Sequence, residues 1–181
     1  MDSEPGFLLP PLQSAAGISF RESGTRAAPA LVLLHGIGST SSAWRLQYGP
    51  LGEHFRVVGW DAPGYGESPP LPDSAPAVEA YAQALARLLD AIGIGNAILG
   101  SNSWGTPTAV CFARVHPQRV RGLVLGGPTA GMGQASDLPG DGCLGRQGHR
   151  HSARCEREAH RRRGAGILTL TPFRGQACQT A

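Results

Sequence analysis

The residues best placed to do chemistry are Ser101-Asn102-Ser103-Trp104-Gly105. They follow a short apolar run, Ala97-Ile98-Leu99-Gly100, and precede a helical pattern over about 105–115. A serine hydroxyl acts as a nucleophile when a strained strand-to-helix turn lifts it clear of the backbone. Such a turn admits only small residues two places to either side. Ser103 has Ser101 and Gly105 at those places, whereas Ser101 would have Leu99, which does not fit. Ser103 is therefore the candidate catalytic nucleophile. Attack on an acyl carbonyl creates an oxyanion, which needs two preorganised N–H donors. The competing reading is that Ser101 and Ser103 only cap the following helix.

Such a turn must be held by a sheet. Ile18-Ser19-Phe20-Arg21-Glu22-Ser23-Gly24 alternates apolar and polar residues and reads as a half-buried strand. Ala30–Leu34, Phe55–Trp60, Ala97–Gly100 and Val120–Leu125 are continuous apolar runs, as expected for strands covered on both faces of a parallel sheet. Between them, Val78, Tyr81, Ala82, Leu85, Leu88, Leu89 and Ile92 form one helical face. Asp73 or Ser74 is expected to cap that helix, Pro76 to sit in its first turn and Gly93 to end it. A weaker helix is expected over about 41–54. Alternating strands and helices give an α/β fold with a doubly wound, mostly parallel sheet. Ligands then bind beyond the carboxyl ends of the strands. The turns there are 35–40, 61–68 and 101–106.

With these elements in place, the chain resembles the α/β-hydrolase family, in its Ser-nucleophile branch. Leu33-Leu34-His35-Gly36-Ile37-Gly38 is similar to the family's HG oxyanion turn. Asp61-Ala62-Pro63-Gly64-Tyr65-Gly66-Glu67-Ser68 resembles its D-x-x-G-x-G-x-S loop. Ser103 and its neighbours match the nucleophile turn, and His116–Leu125 resembles the helix-to-strand passage after it. The likeness covers about residues 15–130. It implies that Ser103 attacks a small-molecule acyl substrate, an ester or lactone, and that the Ile37 and Trp104 backbone N–H groups form the oxyanion hole. Trp104 would stand at a helix N-terminus, whose dipole favours an anion. His35 and Gly36 would shape the substrate-facing oxyanion turn. Asp61 would hold its Gly-rich loop through backbone hydrogen bonds. Trp60 and Tyr65 read as packing residues, and His54 and His116 as surface residues at helix ends. A serine at position 103 argues against the dehalogenase and epoxide-hydrolase branches, which use Asp there.

A serine nucleophile needs a base, and the base an orienting carboxylate. The resemblance implies an acid and then a histidine on later strands. Neither is recognisable here. The best later run is Ile167–Thr171, and no His follows it. Asp137 could stand in for the acid, and His149, His151 and His160 are formally available as bases. The expectation is a catalytically impaired hydrolase lacking the last strands of its sheet. Its alternative is a non-catalytic remnant that binds a ligand or partner in the same cleft. Val120–Leu125 would be left as an open apolar sheet edge, through which copies could associate.

Composition marks a boundary at about residue 130. The 181-residue chain carries +3 formal charge, with eight Arg against nine acids in 1–130 and eight Arg against four acids in 131–181. There is no Lys, and Cys143, Cys155 and Cys178 all lie after the boundary. Residues 1–130 read as the N-terminal part of the hydrolase domain and 131–181 as an irregular, disordered basic tail. Three readings of the tail stay open. The favoured one is out-of-frame translation of a GC-rich coding sequence. The others are a basic segment, in which Arg161-Arg162-Arg163 attracts nucleic acid, and a metal set of Cys143, His149, His151, Cys155 and His160, whose spacing fits no zinc module. No cofactor or metal is expected. No apolar run reaches transmembrane length, and no signal-peptide core is present, so the expected location is cytoplasmic and off the membrane.

Overall fold

The structure, a computed structural model, describes residues 9–127 and the backbone of Ile167–Leu170. Among the described residues, seven strands form one mixed sheet in the order β1-β2-β4-β3-β5-β6-β7. They are β1 (Leu12–Ala15), β2 (Ile18–Ser23), β3 (Ala30–Leu34), β4 (Arg56–Trp60), β5 (Ala97–Asn102), β6 (Val120–Gly126) and β7 (Ile167–Leu170). The four central strands run parallel, while β1, β2 and β7 pair antiparallel at the two sides. The expected α/β, doubly wound architecture is what the chain adopts.

Side-chain alternation along β3 divides the core into two layers. Leu31 and Leu33 pack with Val57 and with Tyr48 and Leu51 of helix α1 (Tyr48–Gly52). Val32 and Leu34 face the other way, toward Leu85, Leu88 and Leu89 of α2 (Val78–Ala91) and Phe112 of α3 (Gly105–Val115). Every residue of β3 and β4 is buried. The continuous apolar runs follow from this, since neither face of these strands meets water.

Three expectations need correction. The helix expected over 41–54 is broken into a 3-10 turn, Ser41–Trp44, and the short α1. Pro50 has no N–H to donate back along the chain, so one ladder cannot run through the segment. The cap of α2 is also misplaced. Its N-cap is Ala77, which makes no side-chain cap bond, and Asp73 instead accepts from the Ala75 N–H at 3.0 Å in the preceding turn. Gly93 does end the helix. Its N–H donates to the Asp90 carbonyl and that of Ile94 to Leu89, the paired closure of a Schellman motif.

The third correction concerns the sheet edge. β6 was expected to be open, but β7 lies antiparallel on it, with Leu123 opposite Leu170 and Leu125 opposite Leu168. The run at 167–170 has the composition of a strand, and its backbone pairs with the outward row of β6. The β1–β2 hairpin escaped the sequence reading. Its two-residue turn, Ala16-Gly17, has positive φ at both positions, as a type I′ turn requires.

Candidate active site

The parallel strands β3 and β5 are neighbours, yet their following segments leave in opposite directions. The chain passes from β3 through α1 to β4 on one side and from β5 through α3 to β6 on the other. This is a switch point of the topology, where a doubly wound sheet opens a crevice. A cleft of about 320 Å³ lies there, walled by His35, Gly36, Ile37, Trp44, Asn102 and Ser103. The oxyanion-turn residues named from sequence and Ser103 thus share one cavity.

Ser103 joins β5 to α3 and adopts φ +50°. A left-handed backbone at a residue with a side chain costs on the order of 1–3 kcal/mol and persists only where its surroundings impose it. They do so here. The Ser103 N–H donates to the Gly126 carbonyl at 2.8 Å, and the Ser103 carbonyl accepts from the Thr106 N–H at 2.9 Å. Gly105 is obligatory for a different reason. A Cβ there would lie 2.6 Å from the Leu34 carbonyl oxygen and 2.8 Å from that of His35, because α3 starts hard against the end of β3. Two places before Ser103, Ser101 is buried and its hydroxyl pairs with Thr106 at 3.1 Å. Trp104 is the N-cap of α3. Its ring packs against Tyr65 at 5.3 Å and Tyr81 at 5.0 Å.

His35 is buried with both ring nitrogens engaged. The Ala62 N–H donates to Nε2 at 3.0 Å, so Nδ1 carries the proton and donates to the Gly36 carbonyl at 2.8 Å. Burial lowers its pKa below the ordinary 6.5, against smaller opposing effects of the Gly36 bond and the Asp61 charge. It is a neutral cross-brace between the turn after β3 and the loop after β4. Asp61 braces the same two segments. Its Oδ1 accepts from the Ser41 N–H at 2.6 Å, and its carbonyl accepts from the Ser68 hydroxyl at 2.7 Å. Gly66, at φ +54°, leaves room for the Asp61 carboxylate, which a Cβ would strike. Tyr48 donates to the Ser41 carbonyl at 2.9 Å, and burial pushes its phenol pKa well up, so it stays a donor.

Some residues stand elsewhere. Trp60 is buried in the core, while Tyr65 is half-buried against His35 and Trp104. His54 is exposed. His116 is half-buried against Phe112 with its Nε2 enclosed, which corrects its reading as a surface residue. Neither lines the cleft. Asp137, His149, His151 and His160, the cysteines at 143, 155 and 178, and Arg161–Arg163 lie outside the described residues. Among the described residues no acid lines the cleft with Ser103, His35 is its sole histidine, and no group of metal-ligating side chains occurs. No helix among them is long and apolar enough to cross a membrane. Trp44 and Gln47 also line the cleft and were missed from sequence. The only available signal was topological, since whatever follows β3 must border the crevice.

A family model described as the alpha/beta hydrolase fold matches residues 29–159. The chain belongs to the α/β-hydrolase family. Within it, the chain is 37% identical over 130 residues to a 2-hydroxy-6-oxononadienedioate/2-hydroxy-6-oxononatrienedioate hydrolase of Burkholderia vietnamiensis, covering 69% of this chain and 45% of that protein. Among solved structures, a hydrolase from Pseudomonas aeruginosa PA01 is similar with a TM-score of 0.62 at 29% identity, over 74% of this chain and 50% of that one. The enol-lactonase from Burkholderia xenovorans LB400 is similar with a TM-score of 0.56 at 30% identity, over 62% and 45%. The chain spans less than half the length of the Burkholderia vietnamiensis relative.

Proposed function

We propose that this chain carries the nucleophile and oxyanion half of a serine hydrolase. Ser103 would add to a substrate carbonyl, and the backbone N–H groups of Ile37 and Trp104 would receive the developing oxyanion. His35 and Gly36 would shape the turn that presents the Ile37 N–H. The observation that carries the reading is the left-handed Ser103 at the β5–α3 turn, facing a cleft at the switch point. A hydroxyl that only capped a helix would not need that backbone strain.

The substrate class is a small molecule with an activated carbonyl. The esters and lactones expected from sequence are joined by oxo acids, because relatives are named as hydrolases of 2-hydroxy-6-oxononadienedioate. That compound's name contains an oxo group and no ester. In each case Ser103 gives up its proton as its oxygen bonds to carbon, and among the described residues lining the cleft none is a free base to take it. His35 cannot serve while Nδ1–H and Nε2 are both engaged. Turnover should therefore be low, because losing one member of a Ser-His-Asp unit can cost on the order of 10⁶ in kcat.

The same gap supports a second reading, a ligand-binding cleft without catalysis. A fluorophosphonate probe separates the two. Serine attack on phosphorus expels fluoride and adds a fixed mass. Labelling of the wild type but not of Ser103→Ala supports the hydrolase reading, and an unlabelled wild type supports the binding one. A cytoplasmic location and out-of-frame translation after about residue 130 are further parts of the proposal. The second rests on the composition break, although the family match continues past it to residue 159. Translating every frame of the coding DNA tests it. A frame that supplies strand and helix patterns with an Asp and a later His supports it, and none doing so refutes it.

A further inference from the structure

Ser101 offers a hydroxyl where the turn requires only a small residue. That hydroxyl is buried and pairs at 3.1 Å with the equally buried hydroxyl of Thr106. The bond runs from the end of β5, two residues before Ser103, to the first turn of α3, three residues after it. It therefore spans the β5–α3 turn around Ser103, and neither of its residues lines the cavity. Thr106 is tied to the nucleophile a second time, through its own N–H to the Ser103 carbonyl at 2.9 Å. On the cleft side, Gly36 is a neighbour of Ser103, and a Cβ on it would reach ordinary contact distance, 3.4 Å, from Cβ of Ser103. The strained residue is thus bracketed by two bonds to Thr106, one from the Ser101 hydroxyl and one from its own carbonyl.

We propose that the Ser101–Thr106 hydroxyl pair is a positioning clasp that holds Ser103 in its left-handed conformation and so aims its hydroxyl at the cleft. Ser101 and Thr106 act through Ser103 and touch no substrate. The proposal rests on the reading of Ser103 as nucleophile; it adds Thr106, which lies outside the Ser-x-Ser-x-Gly pattern, and gives Ser101 a role beyond being small. A buried hydroxyl left without its partner is costly, whereas removing both partners together is nearly neutral. That asymmetry separates positioning from bulk stability.

The test compares Thr106→Val, Thr106→Ser and the double variant Ser101→Ala/Thr106→Val in the full chain. Each is read by its melting temperature, by fluorophosphonate labelling of Ser103, and by amide hydrogen exchange at Ser103 and Thr106. Thr106→Val should lower the labelling rate constant roughly tenfold to a hundredfold, the range expected for a misplaced reacting group, with little change in probe affinity. Exchange at the two turn amides should rise about tenfold relative to amides of β3 and β4, as for loss of one hydrogen bond. Thr106→Ser, which keeps the hydroxyl, should behave as wild type. The double variant should recover its melting temperature but not its labelling rate. Labelling that recovers along with the melting temperature would reduce the pair to a structural contact and overturn the clasp. So would wild-type exchange at the turn in Thr106→Val. If the wild type itself is not labelled, the nucleophile reading fails, and the exchange comparison alone still decides whether the clasp holds the turn.

Discussion

β3 and β6 are written in similar residues and end in quite different surroundings. Ala30-Leu31-Val32-Leu33-Leu34 is buried throughout, between α1 on one face and α2 and α3 on the other. Val120-Arg121-Gly122-Leu123-Val124-Leu125-Gly126 has no fully buried residue, although β5 and β7 flank it. The strand sequence states only that both faces can be covered. Whether they are depends on the layers the rest of the chain provides. The proposed active site follows the same division. Its turns hang from the ends of β3, β4 and β5, where buried bonds cross-tie them. β6 contributes one carbonyl, that of Gly126, to hold Ser103.

Substitutions should expose that asymmetry, beginning with the core. Leu34→Ala, at a fully buried position, should cost about 3 kcal/mol or more in denaturant unfolding, and Leu123→Ala about 1 kcal/mol. Equal losses would mean that β6 is as well covered as β3. Next comes Gly105→Ala. The new methyl would press on the Leu34 and His35 carbonyls and should cost about 1–3 kcal/mol, while Gly122→Ala on β6 meets nothing within 4 Å and should be nearly silent.

A smaller effect is expected from acid. Burial places the His35 pKa below 6.5 in the folded chain, so the unfolded chain binds the proton more readily. Stability contributed by neutral His35 is fully present above pH 6.5 and falls as pH drops from there toward the folded pKa. Protonation also forces Nε2 to become a donor against the Ala62 N–H, which loosens the turn carrying Gly36 and Ile37. Denaturation curves measured below pH 6.5 should show that slope, and His35→Gln should reduce it. The smallest effect belongs to the exposed Glu79–Arg114 pair, 3.1 Å apart. Arg114→Ala should shift stability by about 0.5 kcal/mol or less in the same assay.

Much of this was legible in the sequence, for identifiable reasons. β3 and β4 announce themselves because strands sealed on both faces carry little that is polar, and β5 and β6 because their runs are mostly apolar even where β6 is only half covered. The face of α2 is legible because one side meets a core and the other meets water. Ser103 and Gly105 stand out because the turn excludes larger side chains. Other features rest on the folded path of the chain. The Asp61 bond to the Ser41 N–H, the second bond that fixes the His35 tautomer and the Ser101–Thr106 pair all require the fold before they can be seen. The hairpin turn Ala16-Gly17 was missed because Ala is an unusual occupant of positive φ. The break between the 3-10 turn and α1 could have been read from Pro50.

As proposed, Ser103 is positioned for attack, and no free base lines its cleft among the described residues. The most direct measurement follows Ser103 modification by a fluorophosphonate using intact mass, in the wild type and in Ser103→Ala, with and without added imidazole. The expected result is slow labelling of the wild type, acceleration by imidazole acting as the base that the described residues do not place in the cleft, and no labelling of Ser103→Ala. Rapid labelling that imidazole does not change would show that a base is already in place. Equal labelling of Ser103→Ala would show that Ser103 is not the nucleophile.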